Sequence, residues 1–258
     1  MSVSTGRRPT TPPVGLDEVR EQITGCNACL RLRQYCQDVG RLRKAAFRND
    51  VYWAKPVPGF GDPAARVLVV GLAPAAHGAN RTGRVFTGDG VGASGDFLMA
   101  ALKRAGFANI ATSQRTDDGL QLTDVYIAAA VRCAPPANKP LPEEVTRCLP
   151  HLINEVAALP RLQVVVALGK IAWDAWLKVC AIDGMTIPKP RPQFGHGAIA
   201  HLHRGTQAPR HQGTQAPSFP GTLIGAYHPS RQNTNTGVVT PKMYDKVFHL
   251  VGELLRAS

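Results

Sequence analysis

The sequence predicts a three-layer α/β/α domain built on a central, mainly parallel four-stranded sheet, and three observations lead there. Four short β-rich runs are apolar throughout rather than alternating, which suits strands covered on both faces. Helical signals fall between those runs, giving a βαβ-like order. The chain has 258 residues, 44% hydrophobic and 19% charged, a globular composition at a length that suits one large domain.

Met1–Gly15 carries Arg7, Arg8 and prolines without an apolar stretch, so it reads as a flexible tail and not as a secretory signal. Residues 16–258 are then the domain. The first run is Arg66–Gly71 (RVLVVG). Ser94 is placed to cap a following helix in which Leu98 and Leu102 are i, i+4 partners, and Gly106 can end it. The second run is Val125–Arg132 (VYIAAAVR). Pro142 opens the next helix, with Glu143 and Glu144 near the positive end of its dipole. Pro150 should break or restart that helix, after which Leu152, Val156 and Leu159 continue the apolar stripe. Gln163–Gly169 (QVVVALG) is the third run, and the helix Ile171–Val179 follows it. Between about 188 and 221 the composition turns to Pro, Gly, Gln and His, and GTQAP occurs at 205–209 and again at 213–217. This segment reads as a duplicated surface insertion that builds no core. Thr222–Tyr227 (TLIGAY) is the fourth run, and Val247, Leu250 and Leu254 mark a C-terminal helix.

Thirty Lys plus Arg against 18 Asp plus Glu leave a net charge of +12. A basic excess of this size points to a polyanionic partner, since neutralised phosphates release condensed counterions. The longest apolar stretch, Val67–Ala76, is about half of the roughly 20 residues that a membrane-spanning helix needs. A cytoplasmic protein without membrane contact is expected. Six cysteines in a reducing compartment argue for a metal site rather than disulfides. Cys26 and Cys29 form a C-x₂-C pair, and Cys133 and Cys148 form a later, wider pair. Alone, C-x₂-C is compatible with zinc, redox or iron–sulfur roles. A zinc deaminase is excluded because no H-x-E occurs in the chain. Gly88–Gly92 and Leu168-Gly169-Lys170 lack the context of nucleotide-binding loops.

In open parallel sheets, ligands bind beyond the carboxyl ends of the strands. Run one leads into GLAPAAHGANRTGRVFTGD (71–89), run two into CAPPANK (133–139), and run four into HPSRQNTNTG (228–237). Together they bring Asn, Asp, His and an aromatic ring to one rim. Taken with the cysteine pattern, the first and third of these motifs resemble the uracil-DNA glycosylase superfamily, and within it the type 5 (B-type) enzymes. The likeness runs from about Gly25 to the C-terminal helix, the insertion excepted.

That resemblance implies a DNA base-excision repair enzyme. It would flip a deaminated base out of duplex DNA and hydrolyse its N-glycosidic bond, acting as a monomer; no positioned lysine nucleophile is evident, so no lyase step is expected. Phe86 would stack on the everted base and His228 would hydrogen-bond it as negative charge develops. The carboxylate that related types place directly after the first-loop glycine is missing, since Leu72 stands there. The water is therefore assigned to Asp89, with Asn80 as a competitor that can position water but cannot act as a base. Asn138 would order the reacting nucleotide, and Gly71 and Ala73 would border the base. Arg231, Gln232 and Asn233 would enter the minor groove, and Arg81, Arg84 and Lys139 would meet phosphates. Strict uracil readers of related types carry an asparagine amide where this chain has Ala128-Ala129-Ala130. Broader substrates are expected in consequence: uracil with hypoxanthine, xanthine and etheno-cytosine. Cys26, Cys29, Cys133 and Cys148 match the family's ligand pattern for a structural [4Fe–4S] cluster, leaving Cys36 and Cys180 as buried small side chains. The rival to an enzyme is a non-catalytic iron–sulfur DNA-binding module.

Overall fold

The computed structural model describes residues 15–204 and 220–257. Met1–Val14 and both GTQAP copies lie outside the described residues. In chain order the elements are α1 (Leu16–Thr24), α2 (Leu30–Leu42), a 3₁₀ turn at Ala45–Phe47, β1 (Phe60–Gly61), β2 (Val67–Gly71), α3 (Ala79–Thr82) and α4 (Ser94–Arg104). They continue through β3 (Val125–Ala129), a 3₁₀ turn at Pro136–Asn138, α5 (Pro142–Ala157), β4 (Val164–Leu168) and α6 (Lys170–Ile182). The last are β5 (Met185–Thr186), β6 (Ile199–His201), β7 (His203–Arg204), β8 (Thr222–Ala226), α7 (Arg231–Asn235) and α8 (Pro241–Ala257).

The four apolar runs become β3, β2, β4 and β8, adjacent and parallel. Side chains alternate across the sheet. Leu68 and Val70 join α5 and α6 on one face, where Leu152, Trp173 and Trp176 pack, whereas Val67 and Val69 join Leu98 and Leu102 of α4 and Phe248 and Val251 of α8 on the other. Burial on both sides removes any need for polar alternation. The sheet has six strands rather than four, because β1 and β6 add antiparallel edges against β3 and β8. Both are too short to leave an apolar run; β6 is exposed, buried, exposed along its three residues, as an edge strand is.

Three local expectations are corrected. Helix α5 passes through Pro150 without a break. Pro150 is exposed, and its missing N–H and ring clash cost about 3 kcal/mol. Burial of Leu149, Leu152 and Val156, at about 1.5–3 kcal/mol each, outweighs that. Ser94 is the first residue of α4 and not its cap, and Ala93 stands in the cap position with no side-chain bond. Asp96 serves that end instead, accepting from the N–H groups of Gly92 (2.9 Å) and Ser113 (2.9 Å). The 188–221 segment does contribute to the core through Ala200 and Leu202, with Phe194 against Trp173 at 6.0 Å. Among the described residues no helix is long and apolar enough to cross a membrane.

Candidate active site

The chain leaves β2, β3 and β8 at one edge of the sheet, and the loops that follow enclose a cavity of about 740 Å³. Ala73, Phe86, Asp89, Asn138, His228 and Arg231 line it, so most of the residues expected to act share one space. Gly71 ends β2 without lining the cavity. A Cβ there would stand 2.8 Å from the Phe86 ring, so its bare Cα is the seat on which that ring lies. Phe86 itself has φ +52°, a strained value for a bulky residue. Across from it His228 follows β8, the two rings stacked with centroids 6.0 Å apart and 27° between planes. Asn233 donates from Nδ2 to the His228 carbonyl (2.8 Å), and Ser230 caps α7 by accepting from the Asn233 N–H (3.3 Å). Burial lowers the His228 pKa to about 4. Near neutral pH the imidazole is uncharged, and its N–H is a hydrogen-bond donor.

Asp89 lies against the Cα of Gly78 so closely that a Cβ there would fall 1.6 Å from Oδ1. That oxygen is buried and accepts no hydrogen bond from the described protein groups, the state of an acceptor suited to a water or a substrate hydroxyl. Burial raises its pKa to about 6, opposed by the positive charge of Arg231 and then Arg81, with Asp96 adding a small push upward. A carboxylate poised just below neutrality fits a water-orienting base. Arg231 approaches the Asp89 loop, with Nη2 3.5 Å from the Asp89 carbonyl and 3.4 Å from that of Val91.

Other expected contacts are placed elsewhere. Asn80 is fully buried beneath the loop, donating to the carbonyls of Cys36 and Ala76 (both 3.3 Å), and does not line the cavity. Gln232 is exposed on α7, Lys139 is exposed on the turn beside Asn138, and Asn233 braces His228 as described. Arg81 and Arg84 are not free for phosphates. Arg81 pairs with Asp50 (2.6 Å) and donates to the carbonyls of His77 (2.9 Å) and Gly88 (2.8 Å). Arg84 is buried, bonding Thr87 (2.8 Å), Ser113 (3.1 Å) and Asp118 (2.7 Å). The physical reason is the loop itself: its backbone bends through Phe86, Gly88 and Gly90 at positive φ and needs anchors that long guanidinium forks supply.

Cys26 and Cys29 sit at the α1–α2 turn, Cys133 follows β3, and Cys148 lies on α5. Burial is the first cause that disfavours ionisation of Cys29 and of Cys148, and the nearby Cys133 and Cys26 add to it in both. The Arg132 N–H donates to Cys148 Sγ (3.3 Å). Arg132 is itself held by Glu155 at 2.5 Å with both side chains buried. Among the described residues no group of three or more His, Cys, Asp or Glu side chains is gathered closely enough to hold a metal ion. Cys36 rests against Cys133 and donates to the Ala134 carbonyl (3.7 Å). Cys180, on α6, is buried in the core.

The family model for the uracil DNA glycosylase superfamily matches residues 58–251. The chain belongs to the uracil-DNA glycosylase superfamily. Within that superfamily it is similar to the type-5 uracil-DNA glycosylase of Thermus thermophilus, 46% identical over 88% of this chain and 92% of the relative. It is 43% identical to that of Mycobacterium leprae over 90% and 93%. A type-4 uracil-DNA glycosylase of Archaeoglobus fulgidus is 35% identical over 93% and 92%. The family model spans the described cavity except for the wall before residue 58, and the similarity to the relatives, over 90% of this chain for that of Mycobacterium leprae, takes in that wall as well. That wall, formed by Tyr35, Lys44 and Phe47, is what the sequence motifs missed. His77 was also missed, although it stands inside the first loop. The signals available were weak: a basic run around Lys44 and an aromatic ring three residues later.

Proposed function

We propose that this glycosylase removes uracil and other deaminated bases from double-stranded DNA by flipping the nucleotide into the cavity and hydrolysing its N-glycosidic bond. The observation that carries this reading is the convergence of Phe86, Asp89 and His228 on one cavity. Phe86 presents a ring face to the everted base. The neutral His228 N–H donates to a base oxygen as negative charge grows there. Asp89 holds the water that attacks the sugar, its unpartnered Oδ1 being the acceptor for the water's proton. Asn138, at φ +56° on the cavity rim, helps order the nucleotide. Base choice is broad because the strand-end wall is Ala129, a methyl that reads no Watson–Crick edge.

The test is a panel of duplexes carrying uracil, hypoxanthine, xanthine or etheno-cytosine, incubated with enzyme and then with alkali. Strand scission that requires alkali is expected for uracil and at least one purine. No scission with any lesion would leave only a DNA-binding protein. The single-turnover rate should rise with pH through an ionisation near 6, because Asp89 must be deprotonated, and that limb should vanish from the residual activity of Asp89→Asn, because His228 is already neutral there.

Cys26, Cys29, Cys133 and Cys148 stand on neighbouring segments and would have to draw closer together than they are here to hold a [4Fe–4S] cluster, with the Arg132 N–H already directed at one sulfur. Such a cluster would supply a cross-link between the α1–α2 turn, the loop after β3 and α5, with no part in the hydrolysis. Purified protein should contain about four iron and four sulfide per chain, unaltered in Cys36→Ser and lost in Cys148→Ser. Zinc without sulfide would refute the assignment.

A further inference from the structure

One side of the cavity is not used by this mechanism. Lys44 and His77 line it together, and their charge environments overlap, since His77 is held below the usual imidazole range by burial first and then by Lys44 and Arg81. Behind His77 stands Tyr52, 8% exposed, whose Oη lies 3.0 Å from His77 Nδ1, with the rings edge to face at 6.1 Å. A buried phenol must donate its proton. Nδ1 is the one side-chain acceptor it meets among the described residues. Nδ1 therefore accepts, and the neutral ring carries its hydrogen on Nε2. Lys44 is exposed and has no ion pair among the described residues. The turn that carries it is fixed by Phe47, over whose ring Arg81 lies at 3.9 Å. Arg81 is itself neutralised by Asp50, so the uncompensated charge on this wall is that of Lys44. A free cation beside an oriented N–H donor is complementary to an anion. The opposite wall, with Phe86 and His228, is complementary to a planar base.

We infer that Lys44 and His77 form a subsite for a backbone phosphate of the extruded nucleotide, with Tyr52 as the positioning residue that sets the His77 tautomer. This rests on the base-flipping reading above. It links binding to chemistry, because His77 precedes Gly78, on which the Asp89 carboxylate rests: a phosphate held at His77 would place the sugar beside that carboxylate.

The experiment measures affinity for a duplex containing 2′-fluoro-deoxyuridine, whose fluorine disfavours the cationic sugar and so slows cleavage. The duplex is used unmodified and with a single neutral methylphosphonate at each phosphate flanking the lesion. Lys44→Ala should weaken binding of the unmodified duplex about fivefold and reduce the salt slope by about 1. Both losses should vanish on the one duplex whose contacted phosphate is neutral. His77→Ala and Tyr52→Phe should each weaken binding on the same phosphate, whereas His77→Gln, which keeps a donor near Nε2, should restore it. Unchanged affinity in Lys44→Ala, or equal losses on every methylphosphonate duplex, would overturn the subsite. Losses that follow the base, differing between uracil and hypoxanthine duplexes, would assign His77 to the base edge and overturn it too. Strand scission without alkali that disappears in Lys44→Ala would make Lys44 a nucleophile and not a phosphate contact. If wild type binds with the predicted phosphate dependence but releases no base from ordinary uracil duplex, the catalytic reading fails and the subsite stands. Normal excision with no phosphate dependence would remove the subsite and leave the catalytic reading standing.

Discussion

Asp89→Asn is expected to lower the single-turnover rate of uracil release by about 10²–10⁴-fold, the range for removing a general base, while duplex affinity stays within a few-fold. The same substitution should make the protein more stable at neutral pH. In the folded chain the carboxyl titrates near 6 rather than at its ordinary 3.8, because burial disfavours its charge. Its protonated form thus favours the fold below the unfolded value, and that contribution is lost as pH rises through about 6. Above neutrality the wild type carries a buried anion that Asn does not, a difference of roughly 3 kcal/mol, or about 6–12 °C in melting midpoint for a domain of this size. Thermal melts at pH 4 and pH 7.5 check the sign, since the gain should be present at 7.5 and nearly absent at 4. Retention of full turnover would remove Asp89 from the chemistry. Asn80 could not take its place from its buried position under the loop.

His228→Ala should reduce the same rate by about 10²–10³-fold, the usual effect of deleting one donor to a developing anion. Because the ring also stacks on Phe86, loss of packing must be separated from loss of the donor. His228→Phe keeps an aromatic face and removes the N–H, and should be as slow as His228→Ala. His228→Gln keeps a donor and should recover part of the rate. If His228→Phe were as active as wild type, the residue would be a packing element alone. With a pKa of about 4, His228 is too weakly basic to carry a second proton at pH 7, so in the proposed role it would stabilise charge by donating a hydrogen bond and not a proton.

Much of the site could be read from the chain because its chemistry is written in contiguous loops. Residues 71–89 contain the seat, the stacking ring and the carboxylate, and 228–233 contain the donor and its brace. Their placement on strand ends follows from the parallel sheet, which the unbroken apolar runs already required. What could not be read is which polar side chains face inward. Arg81 and Arg84 have the composition of phosphate contacts but are consumed by Asp50 and Asp118, acids 31 and 34 residues away in the chain. Asn80 looks like a ligand residue in sequence and is a strut in three dimensions. Lys44, Phe47 and Tyr52 belong to a stretch before the family match, without periodicity or motif, and reach the cavity wall or its backing only through contacts with the 77–81 turn.

The amino-acid sequence by itself determined the parallel core, the order of its helices, the family and the candidates proposed above for stacking, donating and holding water. All of these depend on local pattern, either apolar runs that must be buried or residues fixed by their spacing from a strand end. Only the tertiary structure decided the short edge strands, the uninterrupted course of α5 and the division of the arginines between anchors and free charge. It also decided the Lys44 and His77 wall. Each of these turns on a partner distant in the chain, where burial and ion pairing offset a local cost that the sequence shows without its compensation.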